Sequence, residues 1–598
     1  MCGIVGYNGK DKNTLHILID GLKALEYRGY DSSGIAFKTD KIETIKSIGK
    51  ISELENKINY DTSSNTGIGH TRWATHGKVT TSNSHPHTVG KITVVHNGII
   101  ENFNEIKKEL LNKNYKFKSE TDTEVACALI DYYYNETNDI KKALTLFSNK
   151  VRGSYALGIM VDNDDNIYAI RKDSPLIIAK NKTGNFIASD AIAVSKYADE
   201  IMYLEESQIA EIGKEKISLY DQNLNEEKSN FKLLDKSLEN TDKCGFDHYM
   251  LKEIHEQPKV FRDTVEPYLK NDIDSLLETM PDFTKYNRID IVACGSAYHA
   301  GLVGKSLIEE YADVPVNVEV ASEYRYKKNF YDDKTLVILV SQSGETADTL
   351  AALRKAKNDN IDTLAIVNVE NSTIARESEI LLKIKAGREI AVATTKAYSA
   401  QVAMLSLIAL NLASRKEKFD KKEIIEILKD IKELPVKIEN LIDKEDYKVI
   451  ADAIKDKEDI FFIGRGIDYA MSMEGSLKLK EISYINSNAY AAGELKHGTI
   501  SLVEDGTPVI GILTEEFLKE KTISNVEEVK SRGATTIGII NSDTNYNFDY
   551  KVEIPKVHKL LQPLLTVIPL QLIAYEVAKL RNCDIDKPKN LAKSVTVE

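Results

Sequence analysis

The chain has 598 residues and a mass of 67.0 kDa, so at roughly 100 to 200 residues per domain it holds several domains and is not one small module. With 42% hydrophobic and 29% charged residues and no low-complexity tract, it is not a disordered or fibrous protein. The net charge of −13 argues against a general nucleic-acid or anionic-membrane surface, so we expect neither a nucleic acid nor a membrane as partner.

Three further features indicate a cytoplasmic protein. Five cysteines, an odd number without a C-x-x-C pair, exclude a disulfide framework and disfavour a structural zinc site. The amino terminus, MCGIVGYNG, has neither the basic nor the apolar region of a secretory signal. The longest apolar runs, 402–413 and 560–578, are short or interrupted by polar residues and proline, so neither predicts a membrane span.

The first 215 residues mix short β-branched segments with helical stretches. Strands are predicted at 3–6, 35–37, 91–95, 155–161, 166–171, 185–188 and 208–212, and helices at 15–25, 104–111, 124–134 and 140–147. This mixture predicts an α+β domain over residues 2–215, with antiparallel sheets between helices. The polar and charged segment 216–246 is predicted to be a linker.

Beyond the linker, strand, Gly/Ser loop and helix alternate, which predicts α/β domains with parallel sheets. IVACGSAYHA, VASEYRY and VILVSQSGET recur as FFIGRGIDYA, AAGELKH and VIGILTEE after about 171 residues, which indicates an internal repeat. We expect two copies of one unit, at 280–420 and 450–585, and an active-site tail at 586–598. The Lys/Glu-rich stretch 416–459 predicts amphipathic helices with a solvated face.

Cys2 becomes the first residue once the initiator methionine is removed, which a small second residue permits. A free α-amine has a pKa of about 8, so it can take the thiol proton and make Cys2 a nucleophile with its own base. For this residue taken alone, a merely buried cysteine is the alternative. The motifs EYRGYDSSG, GHTRWATHG, HNGIIEN and SETDTE follow within 125 residues and favour the nucleophile.

These motifs offer what an amide substrate with amino-acid ends requires. Such a substrate needs a cation for its carboxylate, an anion for its ammonium and donors for the tetrahedral oxyanion. The candidates are Arg72, Asp122, and Asn97 with the Gly98 N–H. Histidines 70, 76, 85, 87 and 96 crowd into the same region, so a metal site is the alternative; without a thiolate pair or an H-x-x-x-H we expect no metal.

Cys2 with TRWATHG, HNGIIEN and SETDTE resembles the glutaminase domain of class II glutamine amidotransferases, which are N-terminal nucleophile hydrolases. The resemblance implies that Cys2 attacks the side-chain amide of glutamine, while Asn97 and Gly98 form the oxyanion hole. It also implies four glutamine-binding residues, Arg72, Thr75, His76 and Asp122. The products would be glutamate and ammonia, which must stay away from water to remain a nucleophile.

The loop SQSGET, between a predicted strand and a helix beginning near Ala347, is a candidate phosphate site. Its hydroxyl and N–H groups can surround an anion at a helix N-terminus, although an ordinary helix cap is the alternative. The turn ACGSAYHAG is expected beside it, at the carboxyl edge of the same sheet. Neither a Walker loop nor a G-x-G-x-x-G fingerprint is present, so nothing indicates ATP or a nicotinamide as cofactor.

The second copy has LTEE in place of SQSGET, so the two copies differ in role. Its opening helix carries Glu474, Lys478 and Glu481 at i, i+4 and i+7, on one face. A carboxylate beside an ammonium can shuttle protons, and a solvated Glu/Lys surface is the alternative. His497 fits a proton donor or a capped loop histidine equally well, and by spacing alone Lys593 has no special status.

A second set of motifs covers the rest of the chain: CGSAYHAG, SQSGETADT, TTKAYSAQ, EGSLKLKEISYI, AYAAGELKHG and LAKSVTVE. Together they resemble the paired sugar-isomerase (SIS) domains of the glutamine:fructose-6-phosphate aminotransferase (isomerizing) family. The resemblance implies a homodimer without cofactors that forms glucosamine 6-phosphate and glutamate from L-glutamine and D-fructose 6-phosphate, the first step of UDP-N-acetylglucosamine biosynthesis.

The same resemblance implies roles for individual residues. Lys593 would form a Schiff base at C2 of the sugar, Glu481 would move a proton between C1 and C2, and Lys478 would assist. His497 would reach in from a second subunit and open the sugar ring. The expected sugar-phosphate contacts are Ser296, Ser341, Gln342, Ser343, Thr346, Val392 and Ala592.

Four further positions carry expectations. Trp73, the only tryptophan, would gate an ammonia channel between the domains, with a packing anchor as the alternative. Ala297, Asn486 and Thr499 depart from the family pattern. Because Ala297 stands where a hydroxyl residue is frequent, we expect one donor to the sugar to be absent.

Two other functions stay open. A class II amidotransferase with another acceptor would share the first domain, but no ATP loop or phosphoribosyl-diphosphate signature is present and the repeat disfavours it. A sugar-phosphate-sensing protein with a silent glutaminase would have lost Cys2, Glu481 or Lys593. All three residues are present.

Overall fold

A computed structural model of the chain describes residues 2–74, 76–234, 242–270, 272–332 and 334–596. The chain divides into two compact units. One consists of Met1–Asp242 with the tail Ala592–Glu598, and the other of Lys243–Leu591.

The first unit contains strands and helices throughout. Its strands are β1 (Gly3–Gly9), β2 (Ser32–Lys38), β3 (Ile42–Ile48), β4 (Thr66–Arg72), β5 (His87–Val89), β6 (Ile92–Ile100), β7 (Gly153–Val161), β8 (Ile167–Lys172), β9 (Ile177–Lys180), β10 (Gly184–Ala188), β11 (Glu200–Tyr203), β12 (Ile209–Ile212), β13 (Ile217–Tyr220), β14 (Glu226–Glu227) and β15 (Lys232–Leu233). Its helices are α1 (Thr14–Leu25), α2 (Ile51–Glu55), α3 (Phe103–Leu111), α4 (Asp122–Thr137) and α5 (Ile140–Lys150). Each strand and helix predicted for this region is present, with ends that differ by at most three residues, except that β6 continues five residues beyond its predicted end at residue 95.

Two antiparallel sheets form the centre of this unit. Among the described residues their orders are β15-β11-β9-β10-β1-β4-β2-β3 and β14-β13-β12-β8-β7-β6-β5. Alternate side chains of β1 face opposite ways, so Ile4 packs between the sheets while Val5 packs under α1. Helices α3, α4 and α5 cover the second sheet. The predicted α+β class, with antiparallel sheets between helices, is confirmed.

The polar segment 216–246, predicted to be a linker, contains β13, β14 and β15. These strands extend the two sheets at their edges. Periodicity missed them because β14 and β15 are two residues long and exposed. The domain limits read from the sequence stay predictions.

The second unit alternates helices and strands. Its helices are α6 (Tyr249–His255), α7 (Gln257–Val265), α8 (Ile273–Thr279), α9 (Gly295–Ala312), α10 (Ala321–Tyr324), α11 (Ala347–Asn358), α12 (Thr373–Glu377), α13 (Lys396–Arg415), α14 (Lys421–Ile442), α15 (Asp446–Ile454), α16 (Ile467–Ser483), α17 (Lys519–Lys530) and α18 (Gln562–Leu580). Its strands are β16 (Arg288–Ala293), β17 (Val316–Val320), β18 (Thr335–Ser341), β19 (Asp362–Val367), β20 (Ile380–Lys383), β21 (Asp459–Gly464), β22 (Asn486–Ala491), β23 (Pro508–Leu513), β24 (Thr535–Asn541) and β25 (Tyr550–Ile554).

The predicted repeat is confirmed in the order of the strands. Within the described residues, the two parallel sheets run β17-β16-β18-β19-β20 and β22-β21-β23-β24-β25, the same order in each copy. β16 begins at Arg288 and β21 at Asp459, 171 residues later. In each copy the first and third strands along the chain are adjacent in the sheet: β16 and β18 in the first copy, β21 and β23 in the second. The crevice at the carboxyl ends of these two strands is the expected ligand site.

Helices α13 and α18 occupy the core of the second unit. Both are long and apolar enough to cross a membrane by length and composition, but 94% and 83% of their apolar windows are buried inside the structure. Burial to this extent is typical of core helices. It supports the prediction that neither of the apolar runs 402–413 and 560–578 spans a membrane. Between the copies, α14 is amphipathic as predicted, since Ile427, Leu434 and Ile438 face the core.

Candidate active sites

Cys2 precedes β1, near the centre of the first sheet. β1 pairs with β4 so that Gly3 lies opposite Thr71, which brings the end of β4 and the following Trp73 beside the cysteine. The Trp73 N–H donates to the Cys2 Sγ at 3.4 Å. Burial raises the pKa of the Cys2 thiol, whereas the Trp73 N–H and the Arg72 guanidinium oppose that rise. A half-buried sulfur with a donor beside it suits a nucleophile better than an inert core cysteine.

Asn97 and Gly98, the predicted oxyanion donors, lie on β6 next to Cys2. The Asn97 Nδ2 donates to the Cys2 carbonyl oxygen at 3.1 Å, and the Asn97 Oδ1 lies 3.1 Å from His70 Nε2. Because His70 Nε2 also faces the His96 carbonyl at 2.9 Å, it carries the proton and sets which end of the amide faces the cysteine. Gly98 has a φ of +135°, and a Cβ there would lie 2.1 Å from a backbone carbonyl oxygen.

Four of the five clustered histidines, His70, His85, His87 and His96, are buried together. The rings of His70 and His85 stack with centroids 4.0 Å apart, and the His96 N–H donates to the His85 Nδ1 at 3.4 Å. Burial lowers the pKa of all four, to about 3 for His70, so they are neutral at physiological pH. Among the described residues no group of three or more His, Cys, Asp or Glu is arranged to hold a metal ion.

Three of the four predicted glutamine-binding residues, Arg72, His76 and Asp122, lie within the described part of the chain. Arg72 is buried, and its guanidinium donates to the carbonyl oxygens of residues 76–78. Asp122 begins α4, and its Oδ2 accepts from the Ile100 N–H at 2.9 Å. The His76 ring packs edge-on against Phe103. Thr75 lies outside the described residues.

Asp31 was not among the predicted residues, although it lies in the motif EYRGYDSSG. Its Oδ2 accepts from the Ala74 N–H at 2.8 Å, and its own N–H donates to the Arg72 carbonyl oxygen at 3.0 Å. It therefore holds the segment that carries Trp73, which is half-buried. Only the motif in the sequence could have pointed to Asp31.

In the second unit, the loop 341–346 joins β18 to α11. The Ser341 Oγ accepts from the Gly344 N–H at 3.0 Å and lies 3.0 Å from the Thr346 Oγ1. The Ser343 Oγ accepts from the Glu345 N–H at 3.2 Å. Thr346 stands at the cap position of α11, but its side chain makes no capping hydrogen bond there. Thr346 is therefore not an ordinary side-chain cap. Gln342, in the same loop, is half-buried.

The other predicted sugar contacts have varied surroundings. β16 and β18 are adjacent and parallel, so the loop after β16 reaches the same sheet edge as residues 341–346. Ser296, in the first turn of α9, donates to the Glu474 Oε1 at 2.9 Å. Val392 is buried, and its N–H donates to the Asp586 carbonyl oxygen at 3.0 Å. Ala592 is half-buried in the tail that groups with the first unit.

Glu474, Lys478 and Glu481 share one face of α16, as their spacing predicts. Glu474 and Lys478 are fully buried, with 0% of each exposed, so a solvated Glu/Lys surface is wrong for this pair. The Lys478 Nζ lies 2.6 Å from the Glu481 Oε2 and 3.6 Å from the Glu474 Oε1. Burial lowers the pKa of Lys478, but the carboxylates of Glu481 and Glu474 outweigh it, so the pKa is raised and the ammonium stays charged.

Comparison with known proteins agrees with this architecture. A family model described as the SIS domain matches residues 282–411 and 453–581, and one described as a glutamine amidotransferase domain matches residues 70–196. Over 100% of both chains, the sequence is 49% identical to the glutamine–fructose-6-phosphate aminotransferase (isomerizing) of Clostridium tetani and 48% identical to that of Caldanaerobacter subterraneus.

The chain belongs to the glutamine–fructose-6-phosphate aminotransferase (isomerizing) family. The solved C-terminal domain of the glucosamine-fructose-6-phosphate aminotransferase from Francisella tularensis is 40% identical, with a TM-score of 0.55. It covers 58% of this chain, and all of that domain is matched. The predicted family and the predicted pair of parallel-sheet domains are therefore confirmed.

Two residues with predicted roles in the sugar reaction lie at exposed or terminal places. His497 ends a short 3₁₀ helix, Ala492–His497, and is exposed. Lys593 is half-buried in the tail Ala592–Glu598. Of the departures from the family pattern, Asn486 is exposed at the start of β22 and Thr499 is half-buried. The roles of His497 and Lys593 stay predictions.

The two isomerase copies of this aminotransferase differ where the first would hold an anion. Gly466 matches Gly295 at the turn after the first strand, with φ of +58° and +55°, so Asp468 corresponds to Ala297. The Asp468 Oδ2 accepts from the backbone N–H groups of 514–515 at 2.8 and 2.9 Å. In the second copy the Asp468 carboxylate thus accepts the hydrogen bonds that the N–H groups of the loop after β23 would otherwise offer to a bound anion. Ala297 puts no such carboxylate against the loop of the first copy.

Proposed function

We propose that the chain hydrolyses glutamine and transfers the ammonia to fructose 6-phosphate, forming glucosamine 6-phosphate and glutamate. The similarity to the aminotransferase family extends along the whole chain, and it supports the overall reaction. Two observations support the two half-reactions: within the first unit the Asn97 amide contacts Cys2, and within the second unit the buried Lys478 contacts Glu481. We further infer a cytosolic homodimer that needs neither a cofactor nor a metal.

The glutamine half-reaction uses the residues around Cys2. After removal of Met1, the α-amine of Cys2 takes the thiol proton and the sulfur attacks the amide carbon of glutamine. The Asn97 Nδ2 and the Gly98 N–H donate to the oxyanion that forms. Arg72 and Asp122 supply opposite charges for the two ends of the substrate. Collapse of the tetrahedral intermediate releases ammonia, and water then frees glutamate from the thioester.

The sugar half-reaction begins with ring opening, because only the open ketose has a carbonyl at C2. We assign this step to His497, phosphate binding to the loop 341–346, and imine formation at C2 to Lys593. Ammonia then replaces the Lys593 amine at C2. The Glu481 carboxylate removes a proton from C1 and returns it to C2, which leaves the aldehyde at C1 and the amine at C2.

A mass balance tests the proposed function directly. Purified protein with the initiator methionine removed is given glutamine and fructose 6-phosphate without ATP or metal, and glutamate, free ammonia and glucosamine 6-phosphate are quantified together. We expect nearly equal amounts of glutamate and aminosugar. Glutamate with free ammonia and no aminosugar would mean another acceptor, and no glutamate at all would favour a sensing protein.

A further inference from the structure

His299 lies in a buried polar cluster that the proposed mechanism does not use in full. It is 8% exposed on α9, and its Nδ1 lies 2.8 Å from the Glu474 Oε2 on α16. Because an ionised carboxylate only accepts hydrogen bonds, the His299 Nδ1 carries the proton. The residues are 175 positions apart, and the contact joins the opening helices of the two isomerase copies.

Glu474 therefore has three donors around one carboxylate. His299 is at one oxygen, and the Ser296 hydroxyl is at the other, at 2.9 Å. The Lys478 Nζ is 3.6 Å from that second oxygen, farther than its 2.6 Å from Glu481. A buried carboxylate is costly unless its hydrogen bonds are made. His299 and Ser296 meet this need, so Lys478 stays close to Glu481.

We propose that His299 is a positioning residue for the isomerisation step, acting through Glu474 and Lys478. This inference rests on the proposed function, in which Glu481 moves the proton between C1 and C2. Without the His299 N–H, the Glu474 carboxylate keeps the Ser296 hydroxyl as a donor and attracts the Lys478 ammonium to replace the one it has lost. The shift of that ammonium away from Glu481 breaks the 2.6 Å ion pair that holds the carboxylate in position to remove the C1 proton. The rate of the chemical step falls, while binding of the sugar phosphate is unaffected.

Two substitutions separate hydrogen bonding from packing. In His299→Asn the side-chain Nδ2 is attached at the same carbon position as the imidazole Nδ1, so it can donate to Glu474. His299→Leu fills similar space without a donor. We expect H299L to lower kcat for glucosamine 6-phosphate formation by about 10- to 100-fold, the usual effect of a lost hydrogen bond to a buried charge.

Three further measurements distinguish a lost hydrogen bond from a packing defect: kcat of H299N, KM for fructose 6-phosphate, and glutamine hydrolysis without the sugar. H299N is expected to keep kcat within about threefold of wild type, since the donor is retained. In both variants KM for fructose 6-phosphate should stay within about twofold of wild type, because the contacts that bind the sugar phosphate are not altered. Glutamine hydrolysis without the sugar should not change in either variant.

His558→Leu is the matched control. His558 is a half-buried histidine of the same unit whose Nε2 lies 3.4 Å from a glutamate, Glu423, outside this cluster. It should leave kcat unchanged. In the double variant of His299→Leu with Glu474→Gln, the losses should not multiply, since His299 acts through Glu474.

The outcomes distinguish this inference from the proposed function. Equal losses in H299L and H299N, a wild-type kcat in H299L, or a loss confined to KM would each overturn the positioning role. Wild-type protein that hydrolyses glutamine but makes no aminosugar would instead overturn the proposed function. Multiplicative losses in the double variant would show that His299 does not act through Glu474.

Discussion

At the scale of single residues, the proposed glutaminase site depends on which atoms of the Asn97 side chain face Cys2, the proposed nucleophile. Asn97 presents its amide nitrogen to Cys2 because a neutral, buried His70 donates to the amide oxygen. The motif HNGIIEN predicted that Asn97 acts at this place. It did not predict the role of His70, because the orientation of an amide is set by a neighbour on another strand.

Gly98→Ala tests the oxyanion hole. The new Cβ would lie 2.1 Å from the Ser154 carbonyl oxygen, at a φ of +135° that side chains rarely adopt, so β6 must shift and move the Gly98 N–H. We expect kcat for glutamine hydrolysis to fall by at least about 100-fold, as when an oxyanion donor is removed. Glutamate release under saturating glutamine measures it.

Gly245→Ala is the control for Gly98→Ala. Gly245 also has a positive φ, +87°, but nothing lies within 4 Å of a Cβ built there. This variant should hydrolyse glutamine at the wild-type rate. Wild-type hydrolysis by Gly98→Ala would show that the position of this N–H does not limit the reaction.

At the scale of elements, the repeat explains why we propose a phosphate site in one copy and not in the other. Each copy has a loop of backbone N–H groups at the carboxyl end of its third strand. In the second copy Asp468 supplies the acceptor from within the chain. The sequence showed that SQSGET had been replaced by LTEE, but only the fold showed what now occupies those N–H groups.

Ala297→Asp transfers this device to the first copy. The new carboxylate is expected to accept from the N–H groups of the loop 341–346 and to repel the phosphate of the sugar. KM for fructose 6-phosphate should rise by more than about 100-fold, since like charges at one site cost several kcal/mol. Steady-state aminosugar synthesis measures it, with glutamine hydrolysis as the internal reference.

Ala297→Ser is the matched control, because a hydroxyl adds a donor without a charge. It should keep or lower KM for fructose 6-phosphate. If Ala297→Asp bound the sugar phosphate as well as wild type, the loop 341–346 would not be the phosphate site.

At the scale of the whole molecule, the two proposed half-reactions belong to different residues and can be separated. Cys2→Ala should abolish glutamine use and, with it, glutamine-dependent aminosugar, because no other nucleophile is proposed. Lys593→Arg should retain part of the glutamine hydrolysis and lose the aminosugar, because a guanidinium does not form the imine. Quantifying glutamate and glucosamine 6-phosphate for both variants measures this. Glutamine-dependent product from the first, or full synthesis by the second, would contradict the assignments.

Acid should destabilise the first unit. The pKa of His70 is lowered from 6.5 to about 3 by burial, so the unfolded chain binds the proton first as the pH falls. The stability from the neutral ring is complete above about pH 6.5 and is lost progressively towards pH 3, a change of about 5 kcal/mol for this one group. We expect the first unit to unfold at lower temperature as the pH falls from 7 to 4.

Calorimetry of the full chain, wild type and His70→Asn, measures this acid response. Asparagine does not titrate in this range, so the variant should lose less stability on acidification. His16→Asn, at an exposed histidine of the same unit, should behave as wild type. Equal pH dependence in His70→Asn and wild type would show that His70 does not govern the acid response.

The sequence by itself determined many of the elements, the repeat and the family, because periodicity, turn residues and motifs are local properties. The predicted strands of the first unit and the start of α11 near Ala347 are examples. The tertiary structure decided which charged residues are buried and with which partners. Lys478 and Glu474 read as surface residues by spacing, yet they are enclosed with His299, 175 positions from Glu474. Burial and partner choice depend on contacts between distant segments, and no local pattern encodes them.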